Sequence, residues 1–207
     1  MEKLPQTPSQ TIGPFFAYSL TAEQYGYAYN SLMNHALVSE QTPDAYAGAE
    51  RIFIEGRVID GNGQSISDAM IELWQVDPLG QYCPEPIQQK NEHKRFTGFG
   101  RFGTGTRPDH RFLFSTLKPG VAQPGNAPHI DVIVFMRGSL RDLRTRLYFA
   151  DEADANATDP LLNAVPADRR HTLLAYRTEQ NGQVTYQFDI RVQGEDETVF
   201  FELGDSE

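Results

Sequence analysis

From residue 51 onward, short apolar runs alternate with polar turn sequences. The runs are rich in β-branched and aromatic residues, and most are bounded by Gly, Asn, Asp or Pro. They read RIFIEGRVI, AMIELWQVD, RFLFSTL, HIDVIVFMRG, TRLYFA, HTLLAYRT, VTYQFDIRVQ and TVFFEL. Runs of this length and spacing predict an all-β fold, an antiparallel β-sandwich of about eight strands. Asn181-Gly182, between two of the runs, predicts a tight hairpin turn.

Other parts of the chain do not show this alternation of apolar runs and polar turns. Pro5, Pro8 and Pro14 predict an extended N-terminal arm, because proline fixes φ and disfavours helix in the residue before it. Residues 21–47 predict one or two helical turns, 78–109 a long loop, and 151–170 a short helix. We therefore divide the chain into an arm with irregular and short helical segments, 1–50, and a β-sandwich domain, 51–207.

Charge and composition narrow the function classes. The chain of 207 residues has a net charge of −10, with 28 acidic against 18 basic residues, so nucleic-acid binding through a basic face is not expected. Cys83 has no second cysteine to pair with, which favours a reducing compartment. The N-terminus has no signal-peptide pattern, and no window is apolar for the ~20 residues that a membrane span needs. These features predict a cytoplasmic protein that does not bind membranes.

One strand carries a candidate metal pair. His129 and Asp131 are two residues apart, so their side chains share one face of the strand. With His171 they would complete the two-His, one-carboxylate triad of iron(II) oxygenases, and Arg177 could then receive a carboxylate cosubstrate. The competing interpretation is a histidine held by a neighbour's hydrogen bond, with no metal.

Several segments together resemble the intradiol ring-cleaving dioxygenases. They are TPSQTIGPFF, RVIDGNGQSISDAMIELWQVDPLGQY, TLKPG, APHIDVIVFMRG, TRLYF and QFDIRVQGEDETVFF. The resemblance covers nearly the whole chain, from Thr7 to Phe201. Catalytic members of this family hold iron(III) with two tyrosinates and two histidines, and cleave a catechol ring with O2.

The resemblance matches only part of that ligand set. Tyr82, in Gly-Gln-Tyr, stands at the first tyrosine position, and His129 stands at the first histidine position. The segment VAQPGNAP, which directly follows Lys118-Pro119-Gly120, has no tyrosine, and Asp131 replaces the second histidine. The resemblance therefore implies that this chain holds no metal and has no catalytic residue of its own. Tyr82, His129 and Asp131 would be vestigial ligand positions, with Tyr82 buried against a strand edge.

The resemblance also implies a two-chain enzyme. A homologous β-type subunit would be an obligate partner that holds the Fe(III), and such pairs would build a larger assembly. This chain would lend its arm, through Thr11, Gly13 and Pro14, to the pocket of a small aromatic substrate. Arg137 would add a positive charge for a ring carboxylate. Trp74 is expected in the core.

Two other functions stay open on the sequence. One is a stand-alone iron(II) oxygenase that uses His129, Asp131 and His171, which predicts iron and turnover in this chain alone. The other is a transthyretin-like binding module, which predicts no dependence on a second homologous chain.

Overall fold

The computed structural model describes residues 13, 19–27, 46–83 and 96–202. This part of the chain has nine strands and a few short helices. The strands are β1 (Arg51–Ile59), β2 (Met70–Trp74), β3 (Phe99–Gly103), β4 (Arg111–Leu117), β5 (His129–Phe135), β6 (Leu143–Phe149), β7 (Leu174–Gln180), β8 (Gln183–Gln187) and β9 (Ile190–Arg191). The α-helices are α1 (Ala153–Thr158) and α2 (Pro160–Ala164), and the 3₁₀ helices are Ala22–Tyr25, Thr104–Thr106 and Arg170–Leu173.

The strands form one continuous path that folds into two layers. Their order is β3-β2-β5-β6-β7-β8-β1-β4, and β9 pairs with β1 beyond β8. The halves β3-β2-β5-β6 and β7-β8-β1-β4 are joined by a short pairing of β6 with β7. Side chains from both halves meet in one apolar core, which includes Leu73, Val132, Ile54, Phe114 and Tyr186. The predicted sandwich is confirmed.

The sheet is mixed rather than purely antiparallel. Three pairs are parallel: β1 with β8, β1 with β9, and β6 with β7. Parallel neighbours need a long connection, and the segment between β6 and β7 provides it with α1, α2 and the 3₁₀ helix Arg170–Leu173. The helix expected within 151–170 is thus present, as two short helices.

Two strand predictions are wrong. The segment 78–109 was predicted to be a loop, yet β3 lies within it. Its glycines, Gly100 and Gly103, weaken the strand signal in the sequence. Conversely, TVFFEL forms no strand within residues 198–202, although Phe201 N–H donates to the carbonyl of Arg144 over 2.7 Å. Val199 and Phe201 pack against a second, smaller core cluster, and Phe200 packs against the main core.

The predicted hairpin turn is confirmed, and a second turn follows β1. Asn181 and Gly182 both have positive φ, 52° and 76°, and connect β7 to β8 as a tight hairpin. After β1, the Asp60 carboxylate accepts hydrogen bonds from the N–H groups of Asn62 and Gln64, which closes the turn. None of the helices in the described ranges is long and apolar enough to cross a membrane. The domain boundary at residue 50 stays a prediction.

Candidate functional site

The predicted ligand positions lie on one face of the sheet, around an arginine. Register places Asp131 of β5 between Trp74 of β2 and Arg146 of β6. Arg146 Nε donates to Asp131 Oδ1 over 2.8 Å, and both side chains are largely shielded from solvent. The sequence prediction missed Arg146. Its charge stands out in the sequence, but its pairing with Asp131 depends on the strand register.

His129 is buried at the first position of β5. Its Nδ1 lies 2.7 Å from the carbonyl oxygen of Ala127, so that nitrogen carries the proton and donates. Burial lowers the pKa of His129, and the positive charge of Arg146 lowers it further. His129 is therefore a neutral, hydrogen-bonded histidine, which agrees with the structural interpretation.

Asp159 is a buried carboxylate behind His129. Its Oδ1 accepts from the Tyr148 hydroxyl over 3.0 Å and from Leu162 N–H over 2.8 Å. Its Oδ2 accepts from Ala127 N–H over 2.8 Å. Asp159 thereby fixes the segment that leads into His129. Tyr148 is fully buried, as expected of a core residue, and burial raises the pKa of its hydroxyl.

Tyr82 and Trp74 are more exposed than predicted. Tyr82 is 56% exposed and Trp74 43%, so neither is buried as the sequence suggested. Tyr82 lies in an exposed loop beyond β2, and Trp74 is the last residue of that strand, on its outer face. Partial burial and the nearby Asp131 charge raise the pKa of Tyr82, while Arg146 opposes that effect. Beside Trp74 and the Asp131–Arg146 pair opens a cavity of about 350 Å³, walled also by Arg144, Leu161 and Phe201.

The loop that carries Tyr82 is rigidly built. Asp77 Oδ1 accepts hydrogen bonds from Leu79 N–H and Gln81 N–H, both over 2.9 Å. Gly80 has a φ of +81°, and a Cβ there would lie 2.1 Å from the carbonyl oxygen of Val121. Only glycine fits such a close backbone contact. The loops 77–83 and 118–121 are therefore packed backbone against backbone.

The other candidate residues lie apart from this cluster. His171 is exposed, with its Nε2 3.4 Å from Asp196 Oδ1, and Arg177 pairs with Glu50 and Glu179. Among the described residues, no three His, Cys, Asp or Glu side chains are close enough to hold a metal ion. The iron(II) triad of His129, Asp131 and His171 is thus not assembled.

The proposed pocket residues are described only in part. Thr11 and Pro14 lie outside the described residues, and Gly13 is exposed, with space for a Cβ. Arg137 follows the end of β5 and is 62% exposed, with its Nε 2.5 Å from Asp68 Oδ2. Asp68 was not singled out in the sequence, because nothing local to it indicates a partner at residue 137.

Comparison with known proteins identifies the family. The family described as Dioxygenase matches residues 23–194. The chain is 50% identical to the alpha chain of protocatechuate 3,4-dioxygenase from Burkholderia cepacia, over 98% of this chain and 100% of that one. It is 42% identical to the alpha chain from Pseudomonas putida, over 98% of this chain and 99% of that one. The chain belongs to the intradiol dioxygenase family.

More distant relatives agree with this membership. This intradiol dioxygenase chain is 29% identical to the beta chain of protocatechuate 3,4-dioxygenase from Burkholderia cepacia, over 80% of this chain and 74% of that one. Its fold matches an intradiol ring-cleavage dioxygenase from Tetranychus urticae, with a TM-score of 0.57 and 15% identity, over 87% of this chain and 92% of that one. The fold also matches 3-chlorocatechol 1,2-dioxygenase from Rhodococcus opacus 1CP, with a TM-score of 0.55 and 20% identity, over 76% of this chain and 63% of that one.

Intradiol dioxygenases use non-haem iron, and the described residues do not form a donor set for it. Asp131 is engaged by Arg146, whereas His129 Nδ1 donates to a backbone carbonyl and leaves Nε2 as its ligand nitrogen. The fixed positive charge of Arg146 stands among the ligand positions, where it disfavours a second cation. In this intradiol dioxygenase chain a guanidinium therefore lies among the predicted ligand positions.

Proposed function

We propose that this chain is the alpha subunit of a protocatechuate 3,4-dioxygenase. The observation that carries the proposal is the 50% identity to such an alpha chain over the full length of both proteins. The complex would cleave protocatechuate between its two hydroxyl-bearing carbons and insert both oxygens of O2, giving 3-carboxy-cis,cis-muconate.

The iron would be Fe(III) bound by a homologous beta subunit. Two observations support this assignment. The ligand positions of this chain contain the Asp131–Arg146 ion pair, and a beta chain is also among its relatives. When bound in the partner, the iron supplies the activation of the catechol ring toward O2. This chain contributes no step to that chemistry; it shapes and charges the pocket.

The contribution of this chain would come from its arm and from Arg137. Thr11, Gly13 and Pro14 would form one wall of the substrate pocket, with Gly13 allowing close approach of the backbone and Pro14 stiffening the turn. Arg137 would meet the ring carboxylate of the substrate, because a guanidinium can bind a carboxylate through two parallel hydrogen bonds. Its high exposure leaves it accessible to a molecule outside this chain.

The surface of the chain supports association with a partner. Leu79, Tyr82 and Val121 are 70%, 56% and 45% exposed, and they lie on the two loops that pack together at Gly80. We call these three residues the loop patch. Clustered exposed apolar side chains are typical of interaction sites.

The test is production of this chain alone, of the beta subunit alone, and of both together. We expect iron and the burgundy colour of tyrosinate-to-iron(III) charge transfer only where the beta subunit is present. Full cleavage of protocatechuate should require both chains. Stoichiometric iron and O2 consumption by this chain alone would contradict the proposal, and the beta subunit alone is the control for its own activity.

A further inference from the structure

Asp68 and Arg137 face each other across the extension of a strand ladder. In the antiparallel pair of β2 and β5, Met70 is the partner of Phe135. Asp68 lies two residues before Met70, and Arg137 lies two residues after Phe135. The same register therefore places them opposite each other, and the observed Nε–Oδ2 distance is 2.5 Å.

Asp68 is the fixed member of this pair. The hydroxyl of buried Thr104 donates to the carbonyl of Ile66 over 2.7 Å and accepts from Ala69 N–H over 3.1 Å. These bonds hold the backbone on both sides of Asp68. The Asp68 side chain is 21% exposed, and its Oδ2 atom is buried. In the described part of the chain this atom contacts Arg137 Nε as an ion pair and has no hydrogen-bond partner. The Arg137 side chain, at 62% exposed, is anchored at this one point.

The atom that Asp68 engages leaves the end of the guanidinium available. The ion pair is made through Nε, and Nη1 and Nη2 form no ion pair with another carboxylate among the described residues. An arginine presents its donors in one rigid plane, so a contact at Nε limits the directions that Nη1 and Nη2 can take. The fork can bind a second carboxylate with two parallel hydrogen bonds.

We propose that Asp68 is a positioning residue that aims the Arg137 fork at the carboxylate of the substrate. This inference rests on the proposed function of Arg137. Asp68 does not touch the substrate in this arrangement. It restricts the rotamers of a long, exposed side chain before the substrate arrives, which lowers the entropy that binding has to remove.

An ordinary surface ion pair would have no such effect. Exposed pairs contribute little to stability, so loss of Asp68 would then change neither substrate affinity nor specificity. The two roles differ in what they do to substrates with and without a carboxylate.

The experiment compares complexes of the beta subunit with D68A, R137A and D68A/R137A variants of this chain. The substrates are protocatechuate and catechol, which lacks the carboxylate. We expect R137A to raise KM for protocatechuate by roughly tenfold or more, since charge-assisted hydrogen bonds are stronger than neutral ones. We expect D68A to raise it by about threefold to tenfold, with kcat changed less than twofold and catechol unaffected. In the R137A background, D68A should add nothing.

D68N keeps the size of the side chain but removes its charge, so it should resemble D68A, because the contact with Arg137 is an ion pair. Asp109→Asn is the matched control, because Asp109 forms an exposed ion pair with Arg107, at 3.0 Å, away from Arg137. Thermal unfolding and gel filtration of each complex check that assembly is intact. An R137A complex with normal KM would overturn the role of Arg137 and with it the pocket contribution proposed above. The inference on Asp68 alone would be overturned if R137A raised KM for protocatechuate but D68A did not. It would also be overturned if D68A raised KM further in the R137A background, or if D68A impaired protocatechuate and catechol equally.

Discussion

At the scale of single residues, the predicted ligand positions are held by contacts within the chain. Asp131 forms an ion pair with Arg146, its partner across the strand ladder. Asp159 supports the same region through three donors, two of them backbone N–H groups. A buried carboxylate with this number of donors stabilises the folded state, because each donor would otherwise be left without a partner.

Substitution of Asp159 should destabilise the protein and change its response to acid. In Asp159→Asn, one of the oxygens becomes an NH2 group that faces an N–H donor. We expect a loss of about 2–3 kcal/mol and a Tm lower by roughly 4–12 °C at pH 7, measured on the co-expressed complex by circular dichroism. Asp168→Asn, at an exposed position, is the control and should leave the Tm unchanged.

The stabilisation that Asp159 contributes should decrease as the pH falls. Burial alone would raise the pKa of Asp159, but the N–H groups of Leu162 and Ala127 and the Tyr148 hydroxyl hold the pKa below its usual value. The stabilisation is therefore complete above the unfolded-state pKa of about 4 and is lost as the pH falls toward the folded-state value. The Tm difference between the wild type and Asp159→Asn should narrow below about pH 4. A difference that stays constant down to pH 2 would contradict this explanation.

At the scale of elements, β1 is the strand on which the second layer depends. It pairs with β4 on one side, and on the other with β8 and then β9. Gly56 lies where the partner changes from β8 to β9, and a Cβ there would stand 1.8 Å from the carbonyl oxygen of Phe188. The close approach of β1 to the backbone between β8 and β9 therefore requires glycine at position 56.

The substitution Gly56→Ala should push β1 away from the backbone of Phe188, which follows β8. The obstructing atom is backbone, which cannot rotate away, so we expect a loss of about 3 kcal/mol or more, or failure to accumulate folded chain. Gly61→Ala is the matched control, because its nearest neighbour is the end of the flexible Gln193 side chain. Urea unfolding of the co-expressed complexes would measure both. Similar stability of the two variants would show that β1 can shift without cost.

At the scale of the whole molecule, the loop patch and Arg137 both lie at the exposed surface. Exposed Leu79 and Val121 have no role within the described fold that would explain their apolar character. Under the proposed function, these exposed surfaces would contact the beta subunit.

Polar substitution of the loop patch should weaken assembly. We expect L79S/V121S to raise the dissociation constant for the beta subunit by about tenfold to a hundredfold, since burial of the two side chains together contributes on the order of 1–3 kcal/mol. Sedimentation of a dilution series would measure it. Tyr176→Ser is the comparison, because Tyr176 is 55% exposed on β7, in the other half of the sheet. An unchanged constant for L79S/V121S would remove the patch from the interface.

The strands that alternate clearly were predictable from the sequence, and so was the incomplete ligand set. β4 spans the predicted run RFLFSTL, and the hairpin at Asn181-Gly182 has the expected positive φ values. Periodicity and turn chemistry are local properties, so they can be read from the sequence without knowing which residues are in contact in the fold. The missing second tyrosine and the aspartate at position 131 are likewise read directly from residue identity.

Tertiary structure alone decided which residues meet. Arg146 pairs with Asp131, and Asp68 pairs with Arg137, because strands distant in sequence adopt one register. The exposure of Trp74 and Tyr82 and the parallel pairing of β1 with β8 have the same origin. Strand order and register are set by packing of the whole core, which no local window contains. The sequence by itself determined most of the strands and which residue types stand at the predicted ligand positions, because both are local properties. The fold determined which charged side chains meet there and at the proposed substrate contact, because strand register depends on the whole core.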